Sequence, residues 1–276
     1  MSETPDITLI LPAYNEGSII EQTITETVEY FTARRWHYEI IVAADGDDGT
    51  RELVAGLGRR DPRIRVIGQP ERRGKGRGVR EAVAIASGQV IGYADADNKV
   101  PIREIEKICP WLQQGYEVVI GSRGRRGSLI ERRQPWYRRI GARAFYVFLH
   151  SLIGLPGVRD TQCGFKFFPA SVAKHLFGIQ TIDGYMFDIE ILVLAQRLGY
   201  RIKEVPIRWH DDGDSRLQLL RGNIRNVRDV WQIRRRTPNV PLQRAAAAGQ
   251  VWREPEVPRL YESAAESPLD NETEIG

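Results

Sequence analysis

At 276 residues, 42% apolar and 28% charged, the chain has the size and composition of one large α/β domain with a full core, or of two small ones. No stretch approaches the roughly 18 consecutive apolar residues of a membrane-spanning helix, so the expected protein is soluble or peripheral; the nearest run, Ala144 to Leu155, is too short and contains His150. The net charge of +4 understates the basic character of the body, because Glu254, Glu256, Glu262, Glu266, Asp270, Glu272 and Glu274 sit in a tail of unfolded composition. A basic body suits nucleotide phosphates, nucleic acid or an anionic membrane, and charge excludes none of these.

Ile7 to Leu11 is a short apolar run and predicts a buried strand, followed by the loop Pro12-Ala13-Tyr14-Asn15-Glu16. Ser18 is placed to cap a helix whose buried stripe is Ile20, Ile24, Val28 and Phe31. Tyr38 to Ala43 predicts a second strand ending in Asp45-Gly46-Asp47-Asp48-Gly49-Thr50. A helix through Leu53 and Leu57 and a strand from Ile64 to Ile67 follow. The glycine-rich loop Arg73 to Gly78 opens a helix through Val79, Val83 and Ala86, and the strand Val90 to Ala94 delivers Asp95. This β-α-β-α-β-α-β order predicts a right-handed, mostly parallel sheet with helices on both faces. Ligands of such sheets lie at the carboxyl edge, where every unusual loop of this half falls.

The second half is less regular. Tyr116 to Gly121 reads as a strand ending in Ser122-Arg123, Gly124 to Arg139 is strongly basic, and Ala142 to Ile153 is an apolar helix. Asp160 to Phe168 leads back to the sheet, Phe187 to Leu198 is a helix, and Ile202 to Trp209 alternates like a strand. Leu217 to Ile233 predicts a basic amphipathic helix, with Leu220, Ile224, Val227 and Trp231 on one stripe and Arg221, Arg225, Arg228, Arg234 and Arg235 on the others. It fits either a helix packed on the domain with a solvated basic face or an interfacial helix against anionic lipid. From about Thr237 the composition predicts disorder. Cys109 and Cys163 have no zinc spacing and no secretory signal ahead of Ile7, and are expected as free thiols in a reducing compartment.

The strongest chemical signal is Asp95-Ala96-Asp97. Alternation along an extended chain points both carboxylates to one face. Two hard oxygen ligands at a strand's carboxyl edge suit Mg²⁺ or Mn²⁺ held against a diphosphate.

Pro12-Ala13-Tyr14-Asn15-Glu16, Asp45-Gly46 with Asp48-Gly49-Thr50, Arg73-Gly74-Lys75-Gly76, Ala94-Asp95-Ala96-Asp97, Gly121-Ser122-Arg123 and Asp160-Thr161-Gln162-Cys163-Gly164-Phe165-Lys166 occur in this order. Over residues 6 to 235 the chain resembles the family 2 inverting glycosyltransferases, and among them the dolichyl-phosphate β-glucosyltransferases and their polyprenyl-phosphate relatives. The string from Asp160 to Lys166 is the specific part and points to the lipid-phosphate branch. The resemblance implies an α/β fold: a single nucleotide-diphospho-sugar transferase (GT-A-like) domain over residues 1–236, with a nucleotide-binding half (6–100), an acceptor half (101–236) and an acidic tail (237–276).

It also implies roles. Pro12, Tyr14 and Glu16 would meet base and ribose, and Asp45 would accept from the uracil ring N–H. The family's turn carries two adjacent acids, whereas here Ala44 precedes Asp45. Lys75 would face phosphate or ribose, Asp95 the sugar and ribose, and Asp97 the metal, with His210 as a further metal or phosphate contact. Arg123 fits the donor diphosphate or the acceptor phosphate. Arg132, Arg133, Arg138 and Arg139 form a basic cluster, and Ser215-Arg216 resembles a mobile loop over the diphosphate. Inversion needs a base opposite the leaving group, for which Asp188 and Asp160 are the candidates, with Glu190 orienting a neighbouring base or cation.

The expected reaction is metal-dependent transfer of a hexose, glucose from UDP-glucose foremost, to a polyprenyl phosphate at the cytoplasmic face of a membrane. A GDP-mannose donor, a soluble or glycan hydroxyl acceptor, and a non-catalytic nucleotide-sugar binder stay open. Nucleic acid is not an expected partner, for want of interleaved aromatic and basic residues.

Overall fold

The computed structural model describes residues 4–130, 152–155, 157–210, 222–245 and 252–255. Its centre is a seven-stranded sheet in the order β3-β2-β1-β4-β7-β5-β8. The strands are β1 (Ile7–Tyr14), β2 (Tyr38–Asp45), β3 (Ile64–Ile67), β4 (Val90–Ala94), β5 (Val118–Ser122), β7 (Phe165–Pro169) and β8 (Ile202–Pro206). All neighbours are parallel except β7, which lies antiparallel between β4 and β5. The carboxyl ends of β1, β2, β4, β5 and β8 therefore share one edge with the amino end of β7, where the segment from Asp160 enters.

Side chains alternate across the pleat, so each strand feeds two cores. Ile7, Leu9, Leu11, Ile40, Val42, Phe165 and Phe167 face α1 (Ile20–Ala33) and α2 (Thr50–Arg60). Ile10, Ile41, Ile91, Tyr93 and Phe168 face α3 (Lys75–Ile85), α5 (Ala170–Ile179) and α6 (Phe187–Arg197). A short α4 (Cys109–Gln113) closes the first layer, and α7 (Gly222–Arg236) packs outside α6.

Several expectations change in the structure. Ser18 makes no cap: Ile19 is the N-cap of α1, and the carbonyl of Glu16 starts the helix by accepting from Ile19 and Ile20. β1 runs on through Pro12 to Tyr14 because it pairs residue for residue with β2, ending with Tyr14 opposite Asp45. The glycine-rich stretch is already helical from Lys75. The helix α5 was not anticipated, although its buried Val172, Ala173, Leu176 and Phe177 follow helical spacing. The last strand breaks at Pro206, and Ile207 crosses over: its N–H donates to Ser122 and its carbonyl accepts from Leu129. The continuation β9 (Arg208–Trp209) then pairs with β6 (Leu129–Ile130) in a separate ribbon.

Parts of the expected free tail lie on the domain. Trp252 is buried with its ring 5.8 Å from that of Trp36, Arg244 pairs with Glu117, and Ala245 N–H donates to the Tyr200 hydroxyl at 2.9 Å. The apolar helix expected from Ala142 lies outside the described residues save for its last two. Both cysteines are free, as expected, and both are buried. Among the described residues no helix is long and apolar enough to cross a membrane.

Candidate active site

Asp95 and Asp97 follow β4 directly. Ala96 between them is buried in the α1-side core, and its carbonyl accepts from Thr23 Oγ1 at 2.9 Å, so the two carboxylates turn to the opposite side. The turn closes on Asn98 at φ 54°, a left-handed conformation that Asn tolerates better than most residues. Asn98 is tied to α1 through Glu26 Oε2 at 2.6 Å. Asp95 Oδ1 accepts from Lys75 Nζ at 2.6 Å, and Asp97 Oδ2 lies 3.1 Å from Lys99 Nζ.

Burial and then the neighbouring Asp95 charge push the Asp97 carboxyl above its ordinary range, while Lys99 pulls it back. Two crowded carboxylates already attracting two lysines are the donor set that a hard divalent cation fits. Among the described residues no three His, Cys, Asp or Glu side chains form a metal-holding group. His210 is brought beside the turn, its N–H donating to the Lys99 carbonyl at 2.8 Å, but does not complete a triad with Asp95 and Asp97.

Lys75 is held by close packing from above. A Cβ on Gly74 would lie 2.3 Å from the Asp183 carbonyl oxygen, and one on Gly76 2.5 Å from that of Ile182. These two glycines of the expected glycine-rich loop thus let the segment 180–184 press onto the start of α3. Glu190 secures that segment by accepting from Thr181 N–H and Oγ1 and from Ile182 N–H. It holds backbone, where a base- or cation-orienting role was expected. Burial alone would lower the Lys75 ammonium, but the charges of Asp95 and Asp188 raise it above the ordinary lysine range, so it stays protonated.

At the β1 and β2 ends, Tyr14 is 38% exposed, with the Arg72 guanidinium 4.1 Å from its ring centre; Arg72 also donates to the Tyr185 hydroxyl at 2.9 Å. Pro12 lies on β1 opposite Ala43. Glu16 N–H donates to Thr50 Oγ1, and Asp48 pins the turn through Gly17 N–H and Thr50. Asp45 Oδ2 accepts from Arg73 N–H at 2.8 Å, which joins the turn after β2 to the Lys75 loop.

On the other side of β4, Arg123 and Asp160 form a two-pronged pair at 2.7 and 2.8 Å, reinforced by Arg123 N–H at 3.0 Å. Burial opposes the Asp160 charge, yet Arg123 prevails and holds the carboxyl below its ordinary range. Glu204 braces this pair, accepting from Asp160 N–H at 2.7 Å, Arg159 N–H at 3.0 Å and Arg125 Nε at 2.6 Å. Gly164 sits where a Cβ would meet the Asp95 carboxylate at 2.2 Å, so the segment from Asp160 lies directly against the acid pair. Asp188, in the first turn of α6, is buried. Its Oδ1 accepts from Tyr93 at 2.5 Å and from Lys166, whose ammonium also donates to the Cys163 carbonyl at 2.7 Å. Arg132, Arg133, Arg138, Arg139, Ser215 and Arg216 lie outside the described residues.

A model of the family described as glycosyl transferase family 2 covers residues 8–177, from β1 through α5. The chain belongs to glycosyl transferase family 2. Its relatives include a dolichyl-phosphate beta-glucosyltransferase of Trichomonas vaginalis, 34% identical over 238 residues, which span 82% of this chain and 70% of that one. Among solved structures it is similar to glucosyl-3-phosphoglycerate synthase of Mycobacterium tuberculosis in complex with Mn²⁺, UDP-glucose and phosphoglyceric acid (TM-score 0.62, 22% identity, 86% of this chain and 81% of that one). It is likewise similar to mannosyl-3-phosphoglycerate synthase of Rubrobacter xylanophilus (TM-score 0.63, 18% identity, 87% and 77%). At these identities the likeness is one of fold, the GT-A fold with its mostly parallel sheet, and family membership makes the protein a glycosyltransferase.

In this family 2 transferase sequence reasoning assigned no role to Tyr93, Lys166, Glu204, Arg72 and Lys99, which pair with or stack on the expected site residues. Lys166 carried a readable signal, since a lone lysine inside Phe165-Lys166-Phe167-Phe168 must find a buried counter-charge. Glu204 carried none, because its partners are 44 and 45 residues away in sequence.

Proposed function

We propose that this transferase moves glucose from UDP-glucose to a polyprenyl phosphate with inversion, with Mg²⁺ or Mn²⁺ held at Asp97 and Asp95. The relative named above carries dolichyl phosphate in its name, and a fold neighbour holds Mn²⁺ with UDP-glucose. In this reading Tyr14, Arg72 and Asp45 receive the uridine, with Pro12 and Glu16 shaping the turn. Lys75 and Asp95 face ribose and sugar. Bound there, the cation would offset charge building on the departing diphosphate. Arg123, aimed by Asp160, binds a phosphate oxygen, and Arg132, Arg133, Ser215 and Arg216 are proposed to extend that anion site. A lipid-linked acceptor also requires the protein to work at a membrane surface.

The observation that carries the phosphate acceptor is that both candidate bases are already engaged. Asp160 gives both oxygens to Arg123, and Asp188 is buried against Lys166 and Tyr93. A hydroxyl nucleophile needs a carboxylate able to take its proton. A phosphate oxygen arrives ionised at neutral pH and needs cations and placement, which this edge supplies. Asp160 and Asp188 are accordingly proposed as positioning residues.

The test is transfer of radiolabelled sugar to a short polyprenyl phosphate in detergent, with UDP-glucose, GDP-mannose and UDP-N-acetylglucosamine offered in turn. Label enters the lipid phase from UDP-glucose and is lost with Asp97→Ala. Label on a soluble hydroxyl acceptor instead, abolished by Asp188→Asn, would overturn the reading.

A further inference from the structure

Helix α7 buries Val230 and Ile233 against the domain, yet leaves Val227 49% and Trp231 55% exposed. These two lie one turn apart and share a stripe. It is bordered by Arg228 and Arg235 on one side and Arg234 on the other, all exposed. The helix holds five arginines and a single acid, Asp229. Arg235 lies 4.3 Å from the Trp231 ring centre. Beside Trp231 is an open hollow of about 450 Å³ lined by Arg228, Trp231, Gln232, Arg235, Arg236 and Asn239. An indole left half in water, flanked by guanidinium groups over a shallow hollow, has the amphipathic make-up of an interfacial helix: the ring enters the headgroup layer and the arginines meet phosphate.

We propose that this face of α7 is a docking surface for an anionic phospholipid membrane. Charge decides the occupant. A neutral protein partner would leave the arginines of the hollow without counter-charges, and stacked nucleotides would call for more than one exposed aromatic ring. The placement suits the site as well. Arg225 and Asp229 lie against Gly184, in the segment that presses on Lys75, so a membrane under α7 borders the edge where the acceptor phosphate is proposed to bind. The surface stands on the helix alone; its use in presenting a lipid acceptor rests on the proposed function.

The test is flotation of the full chain with phosphatidylcholine vesicles, with and without phosphatidylglycerol, near physiological salt. Binding is expected only with phosphatidylglycerol, weakening as salt rises. Arg228→Ala and Arg235→Ala each lower partitioning about fivefold, since a basic residue near such a surface contributes about that factor. Trp231→Ala lowers it further at unchanged melting temperature. Equal binding to both vesicles, binding indifferent to all three substitutions, or no binding by folded protein would overturn the proposal. So would a loss confined to single-stranded oligonucleotide binding, which would assign the face to nucleic acid. Transfer to a short acceptor in detergent should be unchanged in these variants. If that transfer is absent from wild type while vesicles still bind, the functional reading falls and the docking surface stands.

Discussion

Asp95 and Asp188 serve the same sheet edge in different media. Asp95 keeps 42% of its side chain in contact with solvent and is paired with Lys75; Asp188 keeps 4% and is paired with Lys166, which is wholly buried. A partly hydrated carboxylate can exchange its lysine for another cation at small cost. A dry one cannot, because either partner left alone is an uncompensated charge in a poor solvent. The two acid–lysine pairs thus differ in kind: in the proposed function the outer one meets ligand, whereas the inner one is sealed from solvent, and the charges of Asp95 and Asp188 both raise the Lys75 ammonium.

Removing the inner cation breaks this contrast most directly. Lys166→Met should cost about 3–5 kcal/mol in urea unfolding. The double variant Lys166→Met, Asp188→Leu should regain most of that stability but not transfer activity. Recovery of both would reduce the inner pair to scaffolding.

The outer pair predicts the reverse pattern. Asp97→Ala should lower kcat about 10²–10³-fold without loss of stability, as judged by initial rates and thermal melts. Saturating Mn²⁺ should raise the melting temperature of wild type and leave that of the variant unmoved. A variant that melts well below wild type would put Asp97 in the structural class.

Glu204 tests whether bracing extends to the phosphate side. Glu204→Gln should cost about 1–3 kcal/mol and raise the acceptor KM while leaving the donor KM alone. Equal changes in both would show that Arg123 serves the donor.

The smallest effect lies in pH. The Asp160 carboxyl is held below its ordinary range in the folded state, so its contribution is present above that range and is lost as pH falls through it. The Asp97 carboxyl is held above, so the folded state binds its proton more tightly than the unfolded chain, and stability declines as pH rises through the carboxylate range. Relative to wild type, Asp160→Asn should therefore lose stability and Asp97→Asn should gain it on going from acid to neutral pH. Parallel curves would erase the distinction between the two acids.

Much of this edge could be read in advance. The strands β1 to β4 and their helices follow from apolar runs bounded by Gly and Asp clusters, and Asp95 with Asp97 from a spacing of two on an extended chain. Ser18 was misread because serine before an apolar stripe is the common cap, whereas here the carbonyl of Glu16 starts the helix. The packing role of Gly74 and Gly76 was not legible, because a sequence does not reveal which backbone will lie on top of them.

Alternation and motif order are local properties, so the chain alone determined a mostly parallel α/β sheet, the edge where its unusual loops gather, and the family. The tertiary structure decided which charges meet. Inserting β7 antiparallel between β4 and β5 carries the segment from Asp160 to Lys166 against Asp95, and joins Lys166 to an aspartate 22 residues onward. Such pairings depend on strand order and burial, which no spacing along the chain encodes.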